Sequence, residues 1–148
     1  TLRDGMTVRV RRVFEFDATP EAVWDFIADP SKRADAISVV ERYEVDEGTG
    51  AATWHVRLPI PLVKSTARVE TEDVERDPPR YVKFVGKSSV LRVTGEHTVE
   101  STDGHTRLVN EFVVDGRVPG VERFFKRNLD EELENLERAL SRAVESES

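Results

Sequence analysis

The chain contains no cysteine, which excludes disulfides, thiolate catalysis and cysteine zinc sites. Histidine is nearly as scarce. His55, His97 and His105 are the only three, and no helical His-x-x-x-His spacing pairs them for a metal, so the expectation is a protein with no metal and no cofactor. Positive charge is in deficit: 29 Asp and Glu outweigh 22 Lys and Arg, for a formal charge of −7. The pI near 5.1 follows from that balance. A nucleic-acid surface needs clustered cations to replace phosphate counterions, and Arg9, Arg11 and Arg12 form only a brief run. No nucleic-acid partner is expected.

Also missing is any apolar run near the roughly 20 residues that span a bilayer, and no signal-peptide pattern opens the chain. The expectation is a cytoplasmic protein without stable membrane insertion. There is no Gly-rich phosphate loop, and no serine stands in a recognisable nucleophile motif. The carboxylates that share strand faces, Glu70 with Glu72 and Glu96 with Glu100, oppose the apolar positions and are expected to meet solvent. Charged residues nevertheless make up 34% of the chain. The basic ones are mainly arginine, a balance that a salt-rich cytoplasm and a high-GC coding bias both produce.

What is present fits one domain, since 148 residues can bury a real core but not two comfortable ones. Val8, Val10, Phe14 and Phe16 share one parity, interrupted by Arg12, and predict a half-buried first strand. The segment TPEAVWDFIADP, Thr19 to Pro30, then predicts a short helix. Thr19 is its N-cap, Pro20 fits its first turn, Val23, Trp24, Phe26 and Ile27 form its apolar face, and Asp29-Pro30 closes it. Ser31 to Ile37 predicts a second short helical turn capped by Ser31. Six further strands are predicted: Val39–Val45, Ala52–Leu58, Ser65–Glu75, Tyr81–Val85, Ser89–Glu100 and Thr106–Asp115. Short turns such as DEGTG and Asp77-Pro78-Pro79-Arg80 join most of them, and such connections favour an antiparallel meander. From about Pro119 to Val144, apolar residues step by three or four along a helix roughly 35–40 Å long.

The order of these elements resembles the START-like, or SRPBCC, superfamily with its helix-grip fold. FDATPEAVWDFIADP resembles the characteristic first-helix segment, VERDPPRYVKFVG the mid-chain turn and strand, and VDGRVPGVERFF the approach to the final helix. The polyketide cyclase/dehydrase-like group is the nearest, with the carbon-monoxide-dehydrogenase G-subunit-like proteins nearby. The resemblance implies an α+β fold: a seven-stranded curved antiparallel sheet wrapped around a long C-terminal helix, with two short helices between strands 1 and 2. Residues 6–146 are expected to form this single ligand-binding domain, with 1–5 a disordered or expression-derived lead. It also implies an apolar cavity between sheet and helix that takes a hydrophobic, lipid-like or aromatic small molecule.

Strand parity supplies a candidate lining: Trp54, Val56, Leu58, Val93 and Phe112, facing Phe125, Leu129, Leu133 and Leu136 of the final helix. The alternative is that these residues fill a solid core. His97 and Asn110 are polar residues on otherwise apolar faces, and are the candidate catalytic pair, His97 as acid or base and Asn110 as orienter of a carbonyl. The bland account is that both are satisfied by backbone or water. His55 and His105 are expected at the surface. Ile60 and Leu62 in the apolar loop RLPIPLVK, together with Phe124, are candidates for a gate at the cavity mouth. Three functions compete: non-catalytic binding or transport of the hydrophobic molecule, a cyclase or dehydratase using the cavity's polar groups, and a protein-interaction module. A monomer and a homodimer are both compatible with the sequence.

Overall fold

The structure is a computed structural model that describes residues 7–46, 48–49, 51–58, 66–103 and 105–147. Strand β1 (Thr7–Phe16) sends Val8, Phe14 and Phe16 into the core, and Arg12 breaks the alternation. Helix α1 (Pro20–Ile27) begins at an extended Thr19, whose Oγ1 accepts the Ala22 backbone N–H at 3.1 Å. This satisfies one of the donors that a helix start leaves unpaired. Helix α2 (Pro30–Asp35) is capped by Asp29, whose Oδ1 accepts the Ser31 N–H at 2.9 Å, and not by Ser31 as the sequence predicts. Proline sets the difference. Pro30 suits the first helical turn and keeps its predecessor extended, so Asp29 occupies the capping position.

Strands β2 (Val40–Val45), β3 (Ala52–Val56), β4 (Ala67–Asp77), β5 (Tyr81–Lys87), β6 (Leu91–Thr102) and β7 (His105–Gly116) complete an open, curved seven-stranded sheet. Its order is β1-β7-β6-β5-β4-β3-β2, with every neighbouring pair antiparallel. The predicted meander runs from β2 to β7, and β1 adds to the far edge beside β7. Helices α1 and α2 therefore carry the chain from one sheet edge to the other. Two register shifts leave an extra residue, Glu41 in β2 and Val74 in β4, and such bulges bend the strand that carries them.

Helix α3 (Val121–Glu147) packs against β1, β7 and α1. Val121, Phe125, Leu129, Leu133, Leu136, Leu140 and Val144 are all buried along one side, and each such side chain is worth about 1.5–3 kcal/mol of burial. The other side is charged, with Glu122–Lys126 at 3.0 Å and Glu134–Arg138 at 3.8 Å. Those exposed i,i+4 pairs add about 0.2–0.5 kcal/mol each, so the apolar stripe decides where the helix lies.

One close approach positions the site. Phe84 of β5 pairs with Gly95 of β6, and Gly95 pairs with Phe112 of β7. A Cβ on Gly95 would stand 2.2 Å from Phe84 Cε1, so the aromatic ring lies where any larger residue would put its side chain. Gly95→Ala is expected to displace the fully buried Phe84 ring and destabilise the protein by about 1–3 kcal/mol, the usual cost of overpacking. Urea unfolding tests this, and a midpoint equal to the parent's would show that the ring can move without cost.

Candidate functional site

A cavity of about 60 Å³ lies between the inner face of the sheet and α3. Of the residues expected to line it, Trp54, Val56, Val93, Phe112, Phe125, Leu129, Leu133 and Leu136 do so. Leu58 is buried just beyond the end of β3 but is not part of the lining. Phe124 does not line it either; it packs edge-on against Phe125, which does, with ring centroids 5.1 Å apart. Ile60 and Leu62 lie outside the described residues. His55 and His105 face outward, bonded to Glu44 at 2.9 Å and Glu15 at 3.0 Å.

His97 lines the cavity, and Asn110 stands behind it. Both are fully buried. Asn110 spends its amide N–H groups on the Arg12 and Leu108 carbonyls, at 3.3 and 3.4 Å, which turns its Oδ1 toward His97 Nδ1 at 2.8 Å. An amide oxygen only accepts, so Nδ1 carries the proton and donates. The imidazole Nε2 is then a bare acceptor, and it has no partner. Burial, and next the charge of Arg33, push the His97 pKa down to about 3, against the bond to Asn110. The ring is neutral throughout the physiological range.

Three buried charged side chains complete the site, and the sequence reading does not single them out. Arg33 of α2 donates from Nη1 to the Ile27 carbonyl at 2.9 Å and from Nη2 to Asp73 Oδ1 at 2.5 Å, while Arg76 holds the other Asp73 oxygen at 3.0 Å. Desolvation lowers the Arg33 pKa and Asp73 opposes that shift. Glu132 of α3 accepts the Ser38 hydroxyl at 2.6 Å, the Ser38 and Val39 N–H groups at 3.3 and 3.4 Å, and the Asn135 amide at 3.0 Å. Arg33 and Glu132 both line the cavity. Glu132 has a signal in the sequence, lying three residues after Leu129 and four before Leu136 and hence on the apolar stripe. Asp73 has one too, sharing parity with Ala67, Val69 and Thr71. Arg33, in a helix of six residues, has no periodicity to betray it.

The site therefore joins an apolar chamber to a neutral imidazole whose Nε2 is buried and unpaired. Among the described residues no group of three or more His, Cys, Asp or Glu could hold a metal ion. The neutral histidine has a measurable consequence. It stays unprotonated in the fold down to about pH 3, whereas in an unfolded chain it titrates near 6.5. Between those values the unfolded chain binds a proton that the native chain does not, so falling pH removes stability, by up to about 1.4 kcal/mol per pH unit from this residue. Urea midpoints of the parent are expected to fall more steeply from about pH 6.5 to 4.5 than those of His97→Gln. Parallel slopes would overturn the buried neutral imidazole.

Known proteins share this architecture. A conserved protein from Geobacillus kaustophilus is 18% identical, with 94% of this chain and 96% of that one covered, at a TM-score of 0.73. The Zhui aromatase/cyclase from Streptomyces sp. R1128 is 16% identical over 94% of both chains, also at 0.73. A START superfamily protein from Mycobacterium smegmatis is 15% identical, covering 95% of this chain and 99% of that one, at 0.70. At such identities the likeness concerns the fold. A sequence search of curated proteins finds no match. The family model for polyketide cyclase / dehydrase and lipid transport matches residues 7–141, the whole sheet and most of α3, and the chain belongs to that family.

Proposed function

We propose that the protein binds a hydrophobic small molecule between the sheet and α3 and carries or presents it without transforming it. The observation that carries this reading is the cavity itself: a chamber walled by Trp54, Phe112, Leu129 and other apolar side chains. Its one histidine is held neutral. A family that includes lipid transport is in keeping with it. The cavity of about 60 Å³ is far below the roughly 300–1,000 Å³ of small-molecule pockets. Uptake therefore requires the lining to spread, and the α3 stripe and the Phe124–Phe125 pair at its start are the side chains that would yield.

A second reading is favoured by the likeness to an aromatase/cyclase and by the unpaired Nε2 of His97. In it, His97 takes a proton from a bound polyketide-like substrate while Asn110 holds the ring. A base of pKa about 3 is poorly matched to neutral pH, each unit of mismatch weighing about 1.4 kcal/mol against the proton transfer. The carrier reading is preferred for that reason.

Uptake of the neutral fluorescent probe N-phenyl-1-naphthylamine provides the test. The parent is expected to bind it, and Leu129→Trp, which projects a larger ring into the cavity, to bind it at least about tenfold more weakly while still unfolding cooperatively. Absence of uptake by the parent would sink the binding reading, and turnover of a polyketide-like substrate that is lost in His97→Ala would replace it with the enzymatic one.

A further inference from the structure

Buried polar atoms almost always have a partner, and among the described residues only four buried side-chain nitrogens or oxygens lack one: Arg33 Nε, Trp54 Nε1, His97 Nε2 and Arg107 Nε. Three of the four belong to residues that line the cavity. They are also gathered around a single ring. The Arg33 guanidinium carbon lies 5.1 Å from the Phe84 ring centroid, the Trp54 ring 5.7 Å and the His97 ring 6.1 Å. These side chains come from α2, β3 and β6, so no local sequence accident groups them.

Their chemistry is complementary to a neutral group that donates once and accepts twice. Arg33 Nε–H and Trp54 Nε1–H can only donate, and His97 Nε2 can only accept, because its Nδ1 proton is committed to Asn110. A hydrocarbon would leave all three unsatisfied. A carbonyl or ether oxygen would answer the two donors and leave His97 bare, whereas an ammonium would answer His97 and face two donors. A carboxylate would set its oxygens against the His97 lone pair in a chamber where Arg33 is already paired with Asp73 and where Glu132 supplies a further negative charge. A hydroxyl has one proton and two lone pairs.

Resting on the binding function above, we propose that the molecule this cavity takes is an apolar alcohol or phenol with one neutral hydroxyl placed among these three nitrogens. The O–H donates to His97 Nε2, and the oxygen accepts from Arg33 Nε–H and Trp54 Nε1–H. The apolar remainder of the molecule meets the α3 stripe. Selectivity for the hydroxyl follows from burial, since a ligand lacking it leaves these atoms desolvated and unpaired.

Displacement of N-phenyl-1-naphthylamine by four matched compounds tests this: 2-naphthol, 2-methoxynaphthalene, naphthalene and 2-naphthoate. 2-Naphthol is expected to bind about tenfold or more tightly than each of the others. In His97→Phe its advantage over 2-methoxynaphthalene should shrink to within about twofold. Trp54→Phe, which keeps an aromatic ring and removes only the donor, should weaken 2-naphthol severalfold and serves as the check if His97→Phe does not fold. Equal affinity for 2-naphthol and naphthalene would mean that a buried water alone satisfies the nitrogens, and preference for 2-naphthoate would mean an anion site; either overturns the hydroxyl proposal. If the probe binds and none of the four displaces it, the hydroxyl proposal falls and the binding function stands. If the probe itself does not bind, both fall.

Discussion

The contact between the Phe84 ring and the bare backbone of Gly95 organises both the interior and the site, because the ring occupies space that a side chain at position 95 would take. With Phe84 lying there, Phe112 meets it edge-on at 6.2 Å and His97 stacks at 6.1 Å with only 14° between the planes. Trp54 tilts against it from β3, and Arg33 reaches its face from α2. Aromatic and cation contacts of this kind contribute about 0.5–1.5 kcal/mol each beyond area burial. Their larger effect is geometric. They bring groups from four separate elements to one place beneath α3.

The buried charges explain how the covering segment is held. Since α1 and α2 carry the chain from one sheet edge to the other, their position is not set by sheet hydrogen bonds. Arg33 ties α2 to the end of α1 through the Ile27 carbonyl and to β4 through Asp73. Glu132 ties α3 to the α2–β2 connection through Ser38 and Val39. A buried ion pair gives little net stability against an apolar replacement, yet removing one partner strands the other at a cost of about 3–5 kcal/mol. These groups therefore fix which arrangement is adopted more than how stable it is. Asp73 meets Arg33 immediately before the Val74 bulge, beyond which β4 no longer alternates between buried and exposed.

The fold was legible because its signals are local and periodic. Thr19 and Pro20 mark a helix start, period-2 runs mark strands, and the Val121-to-Val144 stripe marks a helix that needs a sheet to cover it. Boundaries moved by up to three residues, and the cap of α2 passed from Ser31 to Asp29, where proline geometry outweighs hydroxyl preference. The lining was legible for the same reason, since parity tells which face a side chain takes. The polar half of the site was not. Arg33, Asp73 and Glu132 are charged residues whose burial depends on partners distant in the chain, Arg33 and Asp73 being 40 positions apart and Ser38 and Glu132 94. Periodicity marks Asp73 and Glu132 as charges on apolar faces but carries no information about their partners. Asn110 was recognised as polar on an apolar face, but its place behind His97, and so the tautomer it imposes, required the register of β6 on β7.

That register decides what kind of chemistry the chamber favours. Catalysis by proton transfer works best when the group's pKa is near the working pH, and His97 is driven away from it by burial and by the Arg33 charge. The same displacement suits recognition, because a histidine that stays neutral keeps one acceptor and one donor in fixed positions. Asn110 occupies the donor, leaving the acceptor unpaired. Arg33 contributes an N–H without an unpaired charge, since Asp73 already neutralises it. Burial thus keeps His97 neutral while Asp73 pairs the Arg33 charge, so both side chains hold directional hydrogen-bonding groups beside an apolar wall. Groups of this kind favour a ligand by its pattern of donors and acceptors rather than by its charge, in keeping with the proposed binding of a neutral hydrophobic molecule.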